Sequence, residues 1–132
     1  MTLHYLVDSD WAIHWLNGHA AIGHRLEEIR PQGLALSVVS LAELYEGVYH
    51  STNPEPNERQ LHAFLAGLTL LDIDRETCQF FGRERGRLRA ARTLVADFDL
   101  LIGATAVRHD LTLLSNNRRH FDLIQGLRVE SQ

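Results

Sequence analysis

Short apolar runs alternate with longer stretches of helical periodicity along this chain, and the alternation predicts most of its elements. Residues 3–7 are apolar, too few for a helix, and end at Asp8, which reads as a buried strand. The stretch 11–16 has helical spacing and stops at Asn17-Gly18. A second helix is expected over about 19–30, with Ile22, Leu26 and Ile29 on one face, and residues 34–39 read as the next strand. Ser40-Leu41-Ala42-Glu43 has the S-x-x-E form of a capping box, so a helix carrying Leu41, Leu44, Tyr45 and Val48 is expected to start at Ser40. Residues 51–57, with two prolines and two asparagines, read as a loop before a helix marked by Leu61, Phe64, Leu65 and Leu68. A strand over 69–73, a basic helix over 75–92 and a connection over 93–98 follow. The helix carrying Leu100, Leu101, Ala104 and Val107 has Asp97 and Asp99 at its opening. Residues 111–114 are a fourth strand, and 127–130 supply a fifth. Strands alternating with helices, with no internal repeat, predict one α/β domain whose mainly parallel central sheet of four to five strands carries helices on both faces.

Composition then removes chemistry. All 13 basic residues are arginine, so mechanisms that need a P-loop lysine, a Schiff-base lysine or a Ser-Lys dyad are excluded. The net charge of −4 argues against an indiscriminate nucleic-acid coat, and any such binding must be local. One cysteine, Cys78, makes neither an intramolecular disulfide nor a cysteine-rich zinc site. No apolar run approaches the roughly 18 residues of a membrane span, and the first residues lack the basic start and apolar core of a secretion signal, so a cytoplasmic location is expected.

In a parallel sheet, ligands bind beyond the carboxyl ends of the strands. The residues there are acidic: Asp8 follows the first strand, Glu43 the second, and Asp97 and Asp99 open the helix leading into the fourth, which ends at Ser115-Asn116-Asn117. Each acid alone has a simpler reading as a helix cap or a first-turn residue favoured by the helix dipole. Together they would repel one another unless a cation lay between them. Carboxylates with hydroxyls and amides suit Mg²⁺ or Mn²⁺ rather than Zn²⁺, and none of the eight histidines has metal-ligand spacing, so most are expected to be surface or core residues.

Four segments in this order, Tyr5-Leu6-Val7-Asp8-Ser9-Asp10, Ser40 to Gly47, Asp97 to Ala106 and Leu111 to Phe121, resemble the PIN-domain family, and within it the VapC-type toxin ribonucleases of bacterial toxin–antitoxin pairs. The resemblance implies a Mg²⁺- or Mn²⁺-dependent endoribonuclease that leaves 5′-phosphate and 3′-hydroxyl ends and is held inactive by a cognate antitoxin. By position, Asp8, Glu43 and Asp99 match the family's acidic metal ligands, and Asn117 a fourth position often occupied by Asp. Asp97 matches a less regular acidic neighbour of the third ligand. Ser9 and Ser115 match small hydroxyl residues lining the pocket, beside Asn116. A homodimer is also implied.

Arg83, Arg85, Arg87, Arg89 and Arg92 concentrate positive charge on the basic helix. They are either a solvated face or a phosphate-guiding rim, with Arg118 and Arg119 as further RNA-binding candidates. Trp11, Trp15 and Tyr45 are expected in the core or at a dimer contact. The apolar faces over 41–48 and 61–68 are candidates for contact with a twin subunit or an antitoxin. Two alternatives stay open at this level: a DNA-directed nuclease of the same fold, and a binding module whose acidic pocket does not turn over.

Overall fold

The computed structural model describes residues 2–132. Five strands, β1 (Tyr5–Val7), β2 (Leu34–Ser37), β3 (Thr69–Leu71), β4 (Thr112–Leu114) and β5 (Arg128–Glu130), pair in parallel in the order β3-β2-β1-β4-β5. Seven helices connect them: α1 (Ser9–Leu16), α2 (Ala20–Ile29), α3 (Val38–Tyr49), α4 (Pro54–Leu65), α5 (Arg75–Ala90), α6 (Asp97–Arg108) and α7 (Arg118–Phe121). The expected α/β architecture with a parallel sheet is therefore present, with all five strands.

Side chains alternate across the central strands and build two cores. Val7, Leu36 and Leu114 meet Trp11, Ile22, Leu26, Leu44 and Phe64 on the face covered by α1 to α4. Leu6, Ala35 and Leu113 meet Leu88, Leu100, Ile102 and Phe121 on the face covered by α5 to α7. Burial on both faces explains why these strands read as apolar runs rather than as alternating patterns. Trp11 is fully buried, and Trp15 and Tyr45 pack against the first core, so the core reading of the three aromatics holds. No helix among the described residues is long and apolar enough to cross a membrane.

The strand order reverses at β1, which has β2 on one side and β4 on the other. The carboxyl ends of β1 and β4 thus flank the crevice where ligands of parallel sheets bind. This edge is well fixed. Asp8 N–H donates to Leu114 C=O at 3.0 Å, Ser115 N–H to Glu130 C=O at 3.0 Å, and Ser131 Oγ to Ser115 C=O at 2.6 Å. Arg25 of α2 grips the Glu130 carboxylate with Nε at 2.6 Å and Nη2 at 2.9 Å, holding the edge strand β5 in place. At the other end of the sheet, Gly33 turns the chain into β2 with φ of 94°, where a Cβ would strike the backbone of Thr2.

Several boundaries differ from expectation. The helix expected from Ser40 starts at Val38, and β2 stops at Ser37, whose Oγ accepts the N–H of Val39 at 3.1 Å. Ser37 is the N-cap, and Glu43 is not the acidic partner of a capping box. The β-branched pair Val38-Val39 suits a strand by propensity, but Val39 is buried against the second core from the first turn of α3. α4 begins inside the expected loop, because Pro54 and Pro56 fall in its first turn, where no N–H is required. α6 begins at Asp97, in keeping with the acids expected at its opening but one residue inside the expected connection's end at 98, and the short α7 was not expected at all.

Ser37 and Ser40 provide a direct check on where α3 starts. Ser37→Ala leaves the Val39 N–H without its cap and should cost about 1 kcal/mol in urea denaturation. Ser40→Ala should cost less, since the buried Ser40 Oγ has no hydrogen-bond partner. The reverse ranking would move the helix start to Ser40.

Candidate metal centre

Asp8 stands at the end of β1 in the N-cap position of α1, yet its side chain caps nothing. Instead it is only 4% exposed and accepts a hydrogen bond from Ser115 Oγ at 2.7 Å. Burial, followed by repulsion from the Asp10 carboxylate, pushes its pKa up to about 7. The hydroxyl of Ser9, one residue on, donates to Glu43 Oε1 at 3.2 Å and so joins α1 to α3. Glu43 is also held above the ordinary carboxylate range, by burial and by the charges of Asp99 and Glu46. Asp99, in the first turn of α6, receives His120 of α7, whose Nδ1 lies 2.8 Å from Asp99 Oδ2. Asp8, Glu43 and Asp99 thus gather at one edge of the sheet, and each is met by a side-chain polar group: Ser115 at Asp8, Ser9 at Glu43 and His120 at Asp99.

Ser115 Oγ has a second task, accepting the Asn117 N–H at 3.0 Å, and this fixes the chain as it leaves β4. The Asn117 side-chain amide lies 3.2 Å from His120 Nδ1, beside Asp99. Asn116 points elsewhere. Its Oδ1 accepts Trp11 Nε1 at 3.0 Å and Gln132 N–H at 2.9 Å, and its own N–H donates to Asp10 Oδ2 at 2.9 Å. Asn116 therefore anchors the pocket wall rather than lining the pocket, because the buried indole N–H takes its side-chain oxygen.

Asp97 is drawn away from the acidic group. Its Oδ1 pairs with Arg85 Nη2 at 2.6 Å, and its side chain is 79% exposed. The arginine run also divides, following helical phase along α5. Arg85 and Arg89, one turn apart on α5, and Arg92, just beyond its end, line a cleft of about 370 Å³ with Thr93, Leu94 and Asp97. Arg87 lies on another stripe and grips the buried Glu84 through Nε at 2.7 Å and Nη2 at 2.6 Å. Glu84 also accepts the Gln125 N–H at 2.7 Å, so this pair ties α5 to the segment after α7. Arg118 is engaged by Asp122 and by the Val129 carbonyl. Among the described residues, the side chains of Arg83, Arg89, Arg92 and Arg119 make no ion pair.

His120 is a histidine that the sequence did not single out for the site. It sits 21 positions from Asp99 with no ligand spacing in the sequence, and only the packing of α7 on α6 brings the two together. Asp10 was also missed as an electrostatic neighbour of Asp8, although the segment Asp8-Ser9-Asp10 was the available signal.

No group of three Asp, Glu, His or Cys side chains stands ready-made around a metal position among the described residues. The donor set nevertheless fits a hard divalent ion. It consists of carboxylate and amide oxygens, Asp8 is raised by burial and the Asp10 charge, Glu43 is raised by burial and the charges of Asp99 and Glu46, and no arginine pairs with Asp8, Glu43 or Asp99 among the described residues.

The family model of the PIN domain matches residues 5–127. The chain belongs to the PIN-domain family. Within it, the chain groups with VapC ribonucleases. Ribonuclease VapC2 of Haemophilus influenzae is 35% identical over 98 residues, 74% of each chain. The tRNA(fMet)-specific endonuclease VapC of Salmonella typhimurium is 27% identical over 128 residues, 97% of each chain. In structure, VapBC2 of Rickettsia felis bound to a DNA fragment from their promoter superposes with a TM-score of 0.93 at 28% identity, covering 98% of this chain and 99% of that one. The PIN fold therefore spans the acidic edge, the arginine helix and the C-terminal strand alike.

The buried acid makes metal-free stability depend on pH. The Asp8 pKa of about 7 in the fold exceeds its ordinary value of 3.8, so between these values the folded state binds the proton more tightly than the unfolded chain. Its contribution is full below about pH 4 and is lost as the pH rises through 7. In EDTA, Asp8→Asn should therefore gain stability relative to wild type between pH 5 and pH 8, as read by denaturant midpoints. A constant difference between the two proteins across that range would contradict the burial of this charge.

Proposed function

We propose that this chain is a Mg²⁺- or Mn²⁺-dependent endoribonuclease and the toxin of a toxin–antitoxin pair. The observation that carries the reading is the convergence of Asp8, Glu43 and Asp99 at the β1/β4 switch point of a VapC-family chain, with two of the three acids held above their ordinary pKa range. Asp8, Glu43 and Asp99 would hold the ion, with the Asn117 amide as a neutral neighbour that lowers the negative charge of the site. When bound, such an ion acidifies water for attack on a phosphodiester and offsets charge on the phosphate oxygens.

The chain's own residues set up that chemistry. Ser115 Oγ orients Asp8, and Ser9 Oγ orients Glu43. The walls around Asp8 keep solvent from screening the site. No side chain is needed as a nucleophile. Arg89 and Arg92, free of ion pairs among the described residues, form a rim for flanking RNA phosphates. Their cleft shares Asp97, and so the first turn of α6, with the ligand position Asp99. Arg85 supports this rim by holding Asp97. The substrate of the Salmonella relative makes transfer RNA the first class to test. A groove of about 230 Å³ runs past Ile13, Leu16, Leu44 and Val48 to Glu43, and its apolar walls ending at an acid suit an antitoxin segment. A homodimer is part of the same reading, and Leu94, 86% exposed, and Phe98 offer apolar surface for a second copy.

Cleavage of total RNA and of DNA by the purified protein with Mn²⁺ tests the function. RNA should be cut and DNA spared, and Asp8→Asn or Asp99→Asn should lower the rate by roughly a hundredfold or more, given the several kcal/mol a metal supplies. Cleavage of DNA alone, or wild-type rates in both variants, would overturn the reading. Charge reversal of Arg89 and Arg92 together should weaken RNA binding and flatten its salt dependence, since each neutralised phosphate contributes to the slope. An unchanged slope would make these arginines a solvated face.

A further inference from the structure

We infer that His120 is a positioning residue of the acidic centre, fixing the orientation of the Asp99 carboxylate. The inference rests on the metal-site reading above and adds a residue to it. A carboxylate can only accept, so the 2.8 Å contact requires that His120 Nδ1 carry the proton and donate it to Asp99 Oδ2. With its proton so placed, the same nitrogen has no lone pair for the Asn117 amide 3.2 Å away, which is a packed neighbour rather than a second donor. His120 is the only hydrogen-bond partner of the Asp99 side chain among the described residues. Oδ2 is therefore tethered, while Oδ1 has no hydrogen-bond partner among the described residues, and the Asp99 charge is felt by Glu43.

The histidine is itself held by the backbone. α7 is one turn long, its His120 and Phe121 N–H groups both donate to Asn117 C=O, and Phe121 is fully buried in the core beneath α6. Burying Phe121 fixes the turn, and the turn presents the neighbouring His120 to Asp99. The arrangement completes a pattern in which each acid has an oriented side-chain donor: Ser115 for Asp8, Ser9 for Glu43 and His120 for Asp99. Outer partners of this kind hold metal-ligating carboxylates in place, and losing one typically weakens metal affinity by roughly 10- to 100-fold.

The test compares wild type with His120→Ala, His120→Asn and Asp99→Asn, using Mn²⁺ affinity measured by electron paramagnetic resonance without RNA. Thermal melting in EDTA reports the fold separately. His120→Ala should bind Mn²⁺ roughly 10- to 100-fold more weakly while melting near wild type. His120→Asn should recover most of the affinity, because the Asn Nδ2 stands where the imidazole Nδ1 stood. Unchanged affinity in His120→Ala alongside weakened binding in Asp99→Asn would overturn the role of His120 alone. Unchanged affinity in Asp99→Asn would overturn the metal-site reading and this role with it. Equal losses in the Ala and Asn variants would also overturn it, since that is the signature of a purely structural histidine.

Discussion

Repulsion among carboxylates crowded at one edge of a parallel sheet is the constraint around which the rest of this molecule is arranged. Asp8 is almost inaccessible to water and faces Asp10, while Glu43 faces both Asp99 and Glu46. A chain with 13 arginines could have neutralised this edge with a guanidinium. Its arginines are instead spent on Asp97, Glu84, Glu130 and Asp122, all away from the three central acids. Ionising the group therefore costs free energy in the folded chain, and that cost is what a hard divalent ion would offset.

The scaffold resists that repulsion by tying down each strand end. β1 and β4 exchange contacts through Asp8 and Leu114, and β4 leans on β5 through Ser115, Glu130 and Ser131. The network of Asn116, Trp11 and Asp10 fastens the loop after β4 to the start of α1. These contacts lie behind the acids, so the acids' positions follow from rigid elements rather than from flexible loops. The same logic sorts the charged surface into structural pairs and free arginines, with two of the free ones, Arg89 and Arg92, lining the cleft at the start of α6.

Much of this was legible in the sequence. Apolar runs located β1, β2 and β4, because strands buried on both faces need no alternation, and the acids after them marked the sheet edge; the more exposed edge strands β3 and β5 were also placed. The start of α3 was misplaced since Ser40-Leu41-Ala42-Glu43 satisfies a capping-box pattern while Ser37, three residues earlier, makes the actual cap. Asp97 looked equivalent to Asp99 along the chain, and only the third dimension shows it turned to Arg85. The arginine run looked uniform, although the i, i+4 spacing of Arg85 and Arg89 already separated them from Arg87. His120 carried no local signal at all, because its partner comes from another helix and no fixed spacing links them.

Proton release on metal binding tests the central account most directly. Calorimetric titration of the protein with Mn²⁺ at pH 6, in two buffers of different ionisation enthalpy, counts the protons displaced. If Asp8, its pKa pushed up to about 7, receives the ion, binding must expel protons and the two apparent enthalpies must differ. Asp8→Asn should then release fewer protons than wild type. Identical enthalpies in both buffers, or undiminished release from Asp8→Asn, would contradict the account.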